Sequence, residues 1–448
     1  MNSSTKPAKP PENRRHSSRL AMTDEAALEI LFVELEAALR DKNRDRVLAL
    51  QRAISQRLAA NAAAGAAMER RLRALMARFD ARTDTAQIAI ELEDVERPEI
   101  VLRHFDPFDL ERGAAPEEEK GVDYPVWFAT NRKPTANSGF GGERGNSVTR
   151  GRAMVHVPKA HRFGETGSGF FKRLIRGDDR LRVKDIVAQA MDVFYDDVRK
   201  EIEAARKAGE EAQALVFLHG YNVSFEDAAI RAAQIGYDLK VPGPVAFFSW
   251  PSRGNLAAYP ADEASIEASE QPIADFLVEF AQNCKARGHT TPKLHLIAHS
   301  MGNRGFLRAL QRIAASAELR GKVHFNQIIL AAPDVDRDLF LSLAALYRAH
   351  ADGVTLYASR RDLAVHLSAK LHDAPRAGYF VPYTVTPGVD TIAVPDFDVD
   401  LLGHSYFAQA EALLHDIFDL LRHSEPPAKR QRIEAAKDGD AVFWRLKR

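Results

Sequence analysis

Five short apolar runs at 215–218, 245–249, 294–298, 327–331 and 354–358 constrain the fold more than any other feature of this chain. Each is too short for a stable helix, and helical segments separate most of them. Short continuous apolar runs joined by helices imply parallel strands buried on both faces. Residues 126–130 and 153–157 read as earlier strands around a glycine-rich stretch at 138–145, and 392–394 as a later one. A charged helix is expected over 183–207 and a closing helix over 406–421. The expected class is α/β, a mostly parallel sheet with helices on both faces.

The run at 294–298 leads into Ala298-His299-Ser300-Met301-Gly302-Asn303, after which Phe306, Leu307 and Leu310 recur at helical spacing. A serine on a tight strand-to-helix turn, with small residues two before and two after it, is a nucleophile elbow. Bulk at either flanking position would collide where strand and helix approach. Ala298 stands where glycine is usual and keeps that position small. The helix that follows aims free N–H groups and its positive dipole end at the serine's surroundings.

A serine hydroxyl needs a base to take its proton and a third group to orient that base. Where this elbow occurs, acid and base follow in the order Ser, Asp or Glu, His, on loops at the C-terminal end of the sheet. Asp362, in Ser359-Arg360-Arg361-Asp362 beyond the strand at 354–358, is the expected acid. Asp334, Asp336 and Asp338, after the preceding strand, are its rivals, and a helix N-cap is the plain alternative for Asp362. His404, in Leu401-Leu402-Gly403-His404-Ser405, is the expected base, ahead of His366 and His372. The oxyanion needs two N–H donors. Met301, following the serine, supplies one. Tyr221, after Gly220 in His219-Gly220-Tyr221-Asn222, supplies the other. Phe225, Trp250 and Tyr259 lie on loops beyond strand ends and are candidates for an acyl pocket, with packing an equal alternative.

The remaining sequence bounds the rest. Residues 1–20, with five Lys/Arg and three prolines, read as a disordered basic arm. Over 21–85, Leu28, Leu31, Phe32, Leu35 and Leu39 mark one helical face, and Val47, Leu50, Ile54 and Leu58 another. Met68, Leu72, Leu75, Met76 and Phe79 continue the second helix beyond an alanine-rich stretch. These stripes predict a helical hairpin that packs on the main domain or on a second copy of the chain. Residues 86–121 read as a linker, 122–422 as the main domain, and 423–448 as a basic solvated tail. Sixty-two Lys/Arg balance 62 Asp/Glu, so nothing global points to nucleic acid. No run approaches the ~20 apolar residues of a membrane span. Arg14-Arg15 is followed by Asp24, Glu25 and Glu29 with no apolar run, so no signal peptide is expected. With Cys284 as the single cysteine, a cytoplasmic setting is the expectation.

Four motifs together carry a resemblance: His219-Gly220-Tyr221-Asn222, Phe247-Phe248-Ser249-Trp250-Pro251, Ala298-His299-Ser300-Met301-Gly302-Asn303 and Gly403-His404-Ser405. With Trp127-Phe128-Ala129-Thr130-Asn131-Arg132 near its start, residues 122–422 resemble the bacterial α/β-hydrolases of a domain-of-unknown-function family, described as esterase- or lipase-like. That resemblance implies the α/β-hydrolase fold and a triad carried onto Ser300, Asp362 and His404. It implies no particular substrate. Taken with the residues, it predicts a metal- and cofactor-independent serine hydrolase of small carboxylic esters, preceded by the helical hairpin. The alternatives are a non-catalytic hydrolase scaffold acting as an interaction protein, and acyl transfer or amide hydrolysis on the same triad.

Overall fold

The computed structural model describes residues 31–32, 35, 50–51, 53–54 and 121–447, apart from 137–138, 165–179, 254–258, 286–290, 360–362, 380–381 and 395–410. The basic arm, the linker and most of the expected hairpin therefore lie outside the described residues. So do Asp362 and His404. Phe32, Leu35, Leu50 and Ile54 are helical and buried.

Among the described residues, eleven strands form one sheet in the order β10-β11-β9-β8-β7-β6-β4-β5-β1-β2-β3. The central strands are β4 (Gln213–Leu218), β5 (Val245–Ser249), β6 (Lys293–His299), β7 (Phe325–Ala331) and β8 (Ala351–Ala358). With β1 (Val122–Pro134) and β9 (Asp390–Ala393), they pair in parallel, so all leave the sheet at one end.

Their continuous apolar runs are explained by burial on both faces. Successive residues of β4 serve opposite cores, Ala214, Val216 and Leu218 on one side and Leu215 and Phe217 on the other. The first core is closed by α1 (Met191–Lys207), α3 (Tyr259–Glu267), α4 (Glu270–Asn283), α5 (Gly302–Ala315) and α6 (Arg337–Ala349). The second is closed by α2 (Phe225–Asp238), α7 (Leu363–Leu371) and α8 (Glu411–His423). No described helix is long and apolar enough to cross a membrane.

Three expectations are corrected. The charged segment at 183–207 is not one helix. Its first part is β3 (Arg182–Gln189), antiparallel to β2 (Phe140–Val157), and α1 starts only at Met191. Val183, Ile186 and Val187 suit an extended edge, and an open strand beside them decides the matter. From Phe140 on, the glycine-rich stretch is part of β2, which pairs antiparallel with β1 across two register shifts. The C-terminal residues are not a solvated tail. Strands β10 (Ile433–Asp438) and β11 (Ala441–Leu446) form a hairpin, and β11 pairs in parallel with β9. Ile433, Phe443 and Leu446 turn inward and are buried. Arg430 of the basic cluster is buried too, ion-paired to Asp416 of α8 and bonded to the Tyr357 hydroxyl.

Candidate active site

Ser300 occupies the turn between β6 and α5 with a φ of 51°, the left-handed region that a non-glycine residue enters only when its surroundings compel it. The compulsion is visible. The Ser300 N–H donates to the Ala331 carbonyl at 2.9 Å, and its own carbonyl accepts from the N–H groups of Asn303 and Asp334. The fully buried Asn303 side chain gathers the turn together. Its Nδ2 donates to the carbonyls of Ala298 at 2.9 Å, Ser300 at 3.1 Å and Ala331 at 3.3 Å. Ser300 Oγ is buried and has no hydrogen-bond partner among the described residues. Asn303 was visible in the motif, but nothing in a linear reading shows that one amide reaches three carbonyls.

Two glycines are demanded by close approach. A Cβ on Gly302 would lie 2.5 Å from the carbonyl oxygen of His219 and 2.8 Å from that of Leu218. A Cβ on Gly220 would lie 2.9 Å from Ser300 Cβ. The turn after β4 is thereby pressed against the serine and the start of α5. Gly302→Ala should force strand and helix apart at rigid backbone atoms and lower stability by about 1–3 kcal/mol. Urea unfolding measures this, and an unchanged midpoint would contradict the close approach.

Of the residues read from the sequence, Ser300, Met301, Tyr221 and Tyr259 come together. Met301 is the N-cap of α5 and fully buried. Tyr221 meets Tyr259 edge-on at 5.4 Å between ring centroids. The Tyr259 hydroxyl donates to Asp334 Oδ2 at 2.5 Å and contacts Ser368 Oγ at 2.9 Å. Burial, and then the Asp334 charge, push that phenol well above its ordinary pKa. Phe225 and Trp250 are packed into cores. Phe225 lies 4.9 Å from the Phe128 ring and 4.7 Å from Phe140. Trp250 stacks on His219 at 5.0 Å, and its Nε1–H donates to the His219 carbonyl at 2.9 Å.

Asp334, Asp336 and His372, among the rival acids and bases, are engaged elsewhere. Asp334 accepts from Tyr259 and Ser368 and lies 3.6 Å from the buried Arg376 Nε. Asp336 caps α6 by accepting from the Leu339 N–H at 2.9 Å, and Asp338 is exposed. His372 faces the Ser368 carbonyl and Glu263 with its two ring nitrogens. His366 lies against Tyr379 at 4.8 Å between ring centroids.

A polar network behind the turn escaped the sequence reading. Arg132, at the end of β1, is buried and donates only to uncharged acceptors among the described residues. These are Ser249 Oγ at 2.8 Å and the carbonyls of Gly141 at 3.1 Å, Ser252 at 2.8 Å and Val223 at 2.8 Å. Burial lowers its pKa to about 10, which still leaves it charged at neutral pH. His219 lies 2.7 Å through Nδ1 from the Gly220 carbonyl and 3.2 Å through Nε2 from Ser249 Oγ. Burial, with Arg132 adding to it, drops the His219 pKa to about 3. His295, inside β6, is also held to about 3 by burial and then Lys293, and neither ring nitrogen has a hydrogen-bond partner among the described residues.

Both values lie below the ordinary 6.5. Between about pH 6.5 and 3 the unfolded chain therefore binds protons that the folded chain refuses. Stability must fall as pH falls through that window, by about 1.4 kcal/mol per pH unit for each histidine. Urea unfolding from pH 7.5 to 4.5 measures the slope. In His295→Leu the curve should be shallower by about one such increment. A parallel curve would show that His295 titrates normally.

A mostly parallel sheet, helices on both faces and a left-handed serine on a central strand–helix turn together define the α/β-hydrolase fold. The chain belongs to the family described as alpha/beta hydrolase of unknown function (DUF900), whose model matches residues 195–422. No curated protein matches it. Among solved structures, a C6-C4 SN3-inhibited esterase B from Lactobacillus rhamnosis is similar at 14% identity, with 76% of this chain and 95% of that chain covered and a TM-score of 0.32. A tributyrin phosphonate-inhibited form of that esterase gives 14% identity, 77% and 95% coverage, and 0.31. The phospholipase PlaB from Legionella pneumophila gives 10% identity, 53% and 68% coverage, and 0.23. TM-scores this low add nothing to what the strand order and the family already establish.

Proposed function

We propose that this chain is a serine hydrolase of carboxylic esters, working through an acyl-enzyme. The observation that carries the reading is Ser300 itself, held at a φ of 51° with a buried Oγ that no described residue engages. Other polar residues of this chain also have positive φ, but at Ser300 the strain sits on a strand-to-helix turn under a buried, unengaged hydroxyl, and strain in that setting is a mark of a working site. Ser300 Oγ attacks the acyl carbon while His404 Nε2 takes its proton, and Asp362 holds the imidazole in the tautomer that can accept it. Charge that develops on the carbonyl oxygen is met by the N–H groups of Met301 and Tyr221. When the tetrahedral intermediate collapses, the ester C–O bond breaks and His404 returns the proton to the departing alkoxide. Water then repeats the sequence on the acyl-enzyme. Tyr221 and Tyr259 line the acyl side of the serine.

Support for the acid and base is topological. Strands β8 and β9 leave the sheet at the same end as β6, and in sequence Asp362 comes four residues after the end of β8 and His404 eleven after the end of β9. Of the described rivals, Asp334, His372 and Asp336 are engaged by Tyr259, Ser368, Glu263 and a helix cap.

A fluorophosphonate probe on the full-length chain tests the reading, since only an activated serine reacts. The expected result is a single adduct mapped to Ser300, with turnover on a p-nitrophenyl ester series. A folded protein that neither labels nor turns over any member would overturn it.

A further inference from the structure

We infer that Arg132, Ser249 and His219 form a buried, one-directional hydrogen-bond relay that aims the Tyr221 amide at the oxyanion. All three are positioning residues, and the inference rests on the ester-hydrolase reading above only in taking that amide as an oxyanion donor.

The direction follows from donor and acceptor chemistry. The Gly220 carbonyl can only accept, so the His219 Nδ1 that faces it at 2.7 Å must carry the ring proton. Nε2 of the neutral ring is then an acceptor, and the Ser249 hydroxyl 3.2 Å away must donate to it. That hydroxyl in turn accepts from Arg132 Nε at 2.8 Å, and a guanidinium only donates. Every bond from Arg132 to the Gly220 carbonyl thus points the same way. Bonds chained head to tail polarise one another in a dry interior, and this chain starts at a cation.

The last link is covalent geometry. In a trans peptide the carbonyl oxygen of one residue and the N–H of the next lie on opposite sides of one rigid plane. Holding the Gly220 oxygen from behind therefore holds the Tyr221 N–H facing forward. Polarising that carbonyl makes the same N–H a stronger donor. Gly220 is the residue whose missing Cβ lets the turn press on Ser300 Cβ, so the plane held by the relay borders the nucleophile. The relay cannot swing. Trp250 covers the His219 ring and bonds its carbonyl, Arg132 binds the Val223 carbonyl further along the same loop, and Asp262 accepts from the Asn222 N–H at 3.2 Å. Burying a cation among neutral acceptors is costly, and an orienting role is a reason to retain it.

Ser249→Ala cuts the relay at its centre for the loss of one oxygen. With a p-nitrophenyl ester, kcat should fall about 10- to 100-fold with KM little changed, less than the full loss of an oxyanion donor. Affinity for a trifluoromethyl ketone, whose adduct carries the oxyanion, should fall in the same proportion. His219→Asn keeps an amide N–H near the Nδ1 position and should retain more activity than His219→Leu, a ranking that packing alone does not produce. The Tyr221 amide resonance in 15N-tyrosine-labelled full-length protein should move in both Ser249→Ala and His219→Leu. Wild-type kcat and ketone affinity in Ser249→Ala would overturn the relay while leaving the hydrolase reading intact. An inactive wild-type chain would overturn that reading instead, and the relay would then stand or fall on the Tyr221 resonance. Should Ser249→Ala not fold, the His219 pair carries the same measurements.

Discussion

Ser300→Ala is expected to abolish hydrolysis, by about 10³-fold or more, while leaving the fold as it was. The two halves of that expectation have separate causes. The hydroxyl is the proposed nucleophile, so removing it leaves only the oxyanion donors and whatever binding the pocket supplies. Stability is spared because Ser300 Oγ bonds to nothing described, whereas the bonds that shape the turn run through backbone atoms and Asn303. Alanine has the same objection to a φ of 51° as serine, so the unfolding free energy should change by no more than about 0.5 kcal/mol. Rates on a p-nitrophenyl ester, with a urea curve for each protein, measure both halves. Full turnover by the variant would remove Ser300 from the mechanism.

Asp362→Asn should also be severe, about 10⁴-fold in turnover by analogy with other triads, because the imidazole loses the partner that selects its tautomer. Two control substitutions make the assignment sharp. Asp336→Asn should be almost silent in rate and stability, since asparagine caps a helix as well as aspartate and the Leu339 N–H keeps its acceptor. Asp334→Asn should act mainly on stability, because the carboxylate it weakens serves Tyr259, Ser368 and the nearby Arg376. If Asp334→Asn instead gives the 10⁴-fold loss and Asp362→Asn does not, the acid belongs to the loop after β7.

How legible each part was depended on how local its causes are. The central strands were plain because burial on both faces demands unbroken apolar runs, and the runs in β4 to β8 are written in consecutive residues. The elbow was plain for the same reason, since strand, small residue, serine, small residue and helix are contiguous. Strand β3 was not, because an edge strand with a half-exposed face carries the same mixture of charge and apolar spacing as a surface helix. The C-terminal hairpin was hidden by its own charge. Arg430 reads as solvated until Asp416 and Tyr357 are seen beside it in the core.

By itself the sequence determined the layered α/β class, the serine at the turn and the order in which candidate acid and base follow it. These depend on local patterns and on a connectivity that parallel strands impose. Only the tertiary structure decided what stands behind the serine. Arg132 reaches Ser249 across 117 positions, and Ser249 reaches His219 across 30. A buried polar side chain must be satisfied by whichever donors and acceptors the sheet order brings beside it, and β1, β5 and β4 become neighbours only once the sheet has formed. No local spacing encodes that meeting. It follows from burial, which leaves an unpaired guanidinium or imidazole far more costly than the bonds this network makes.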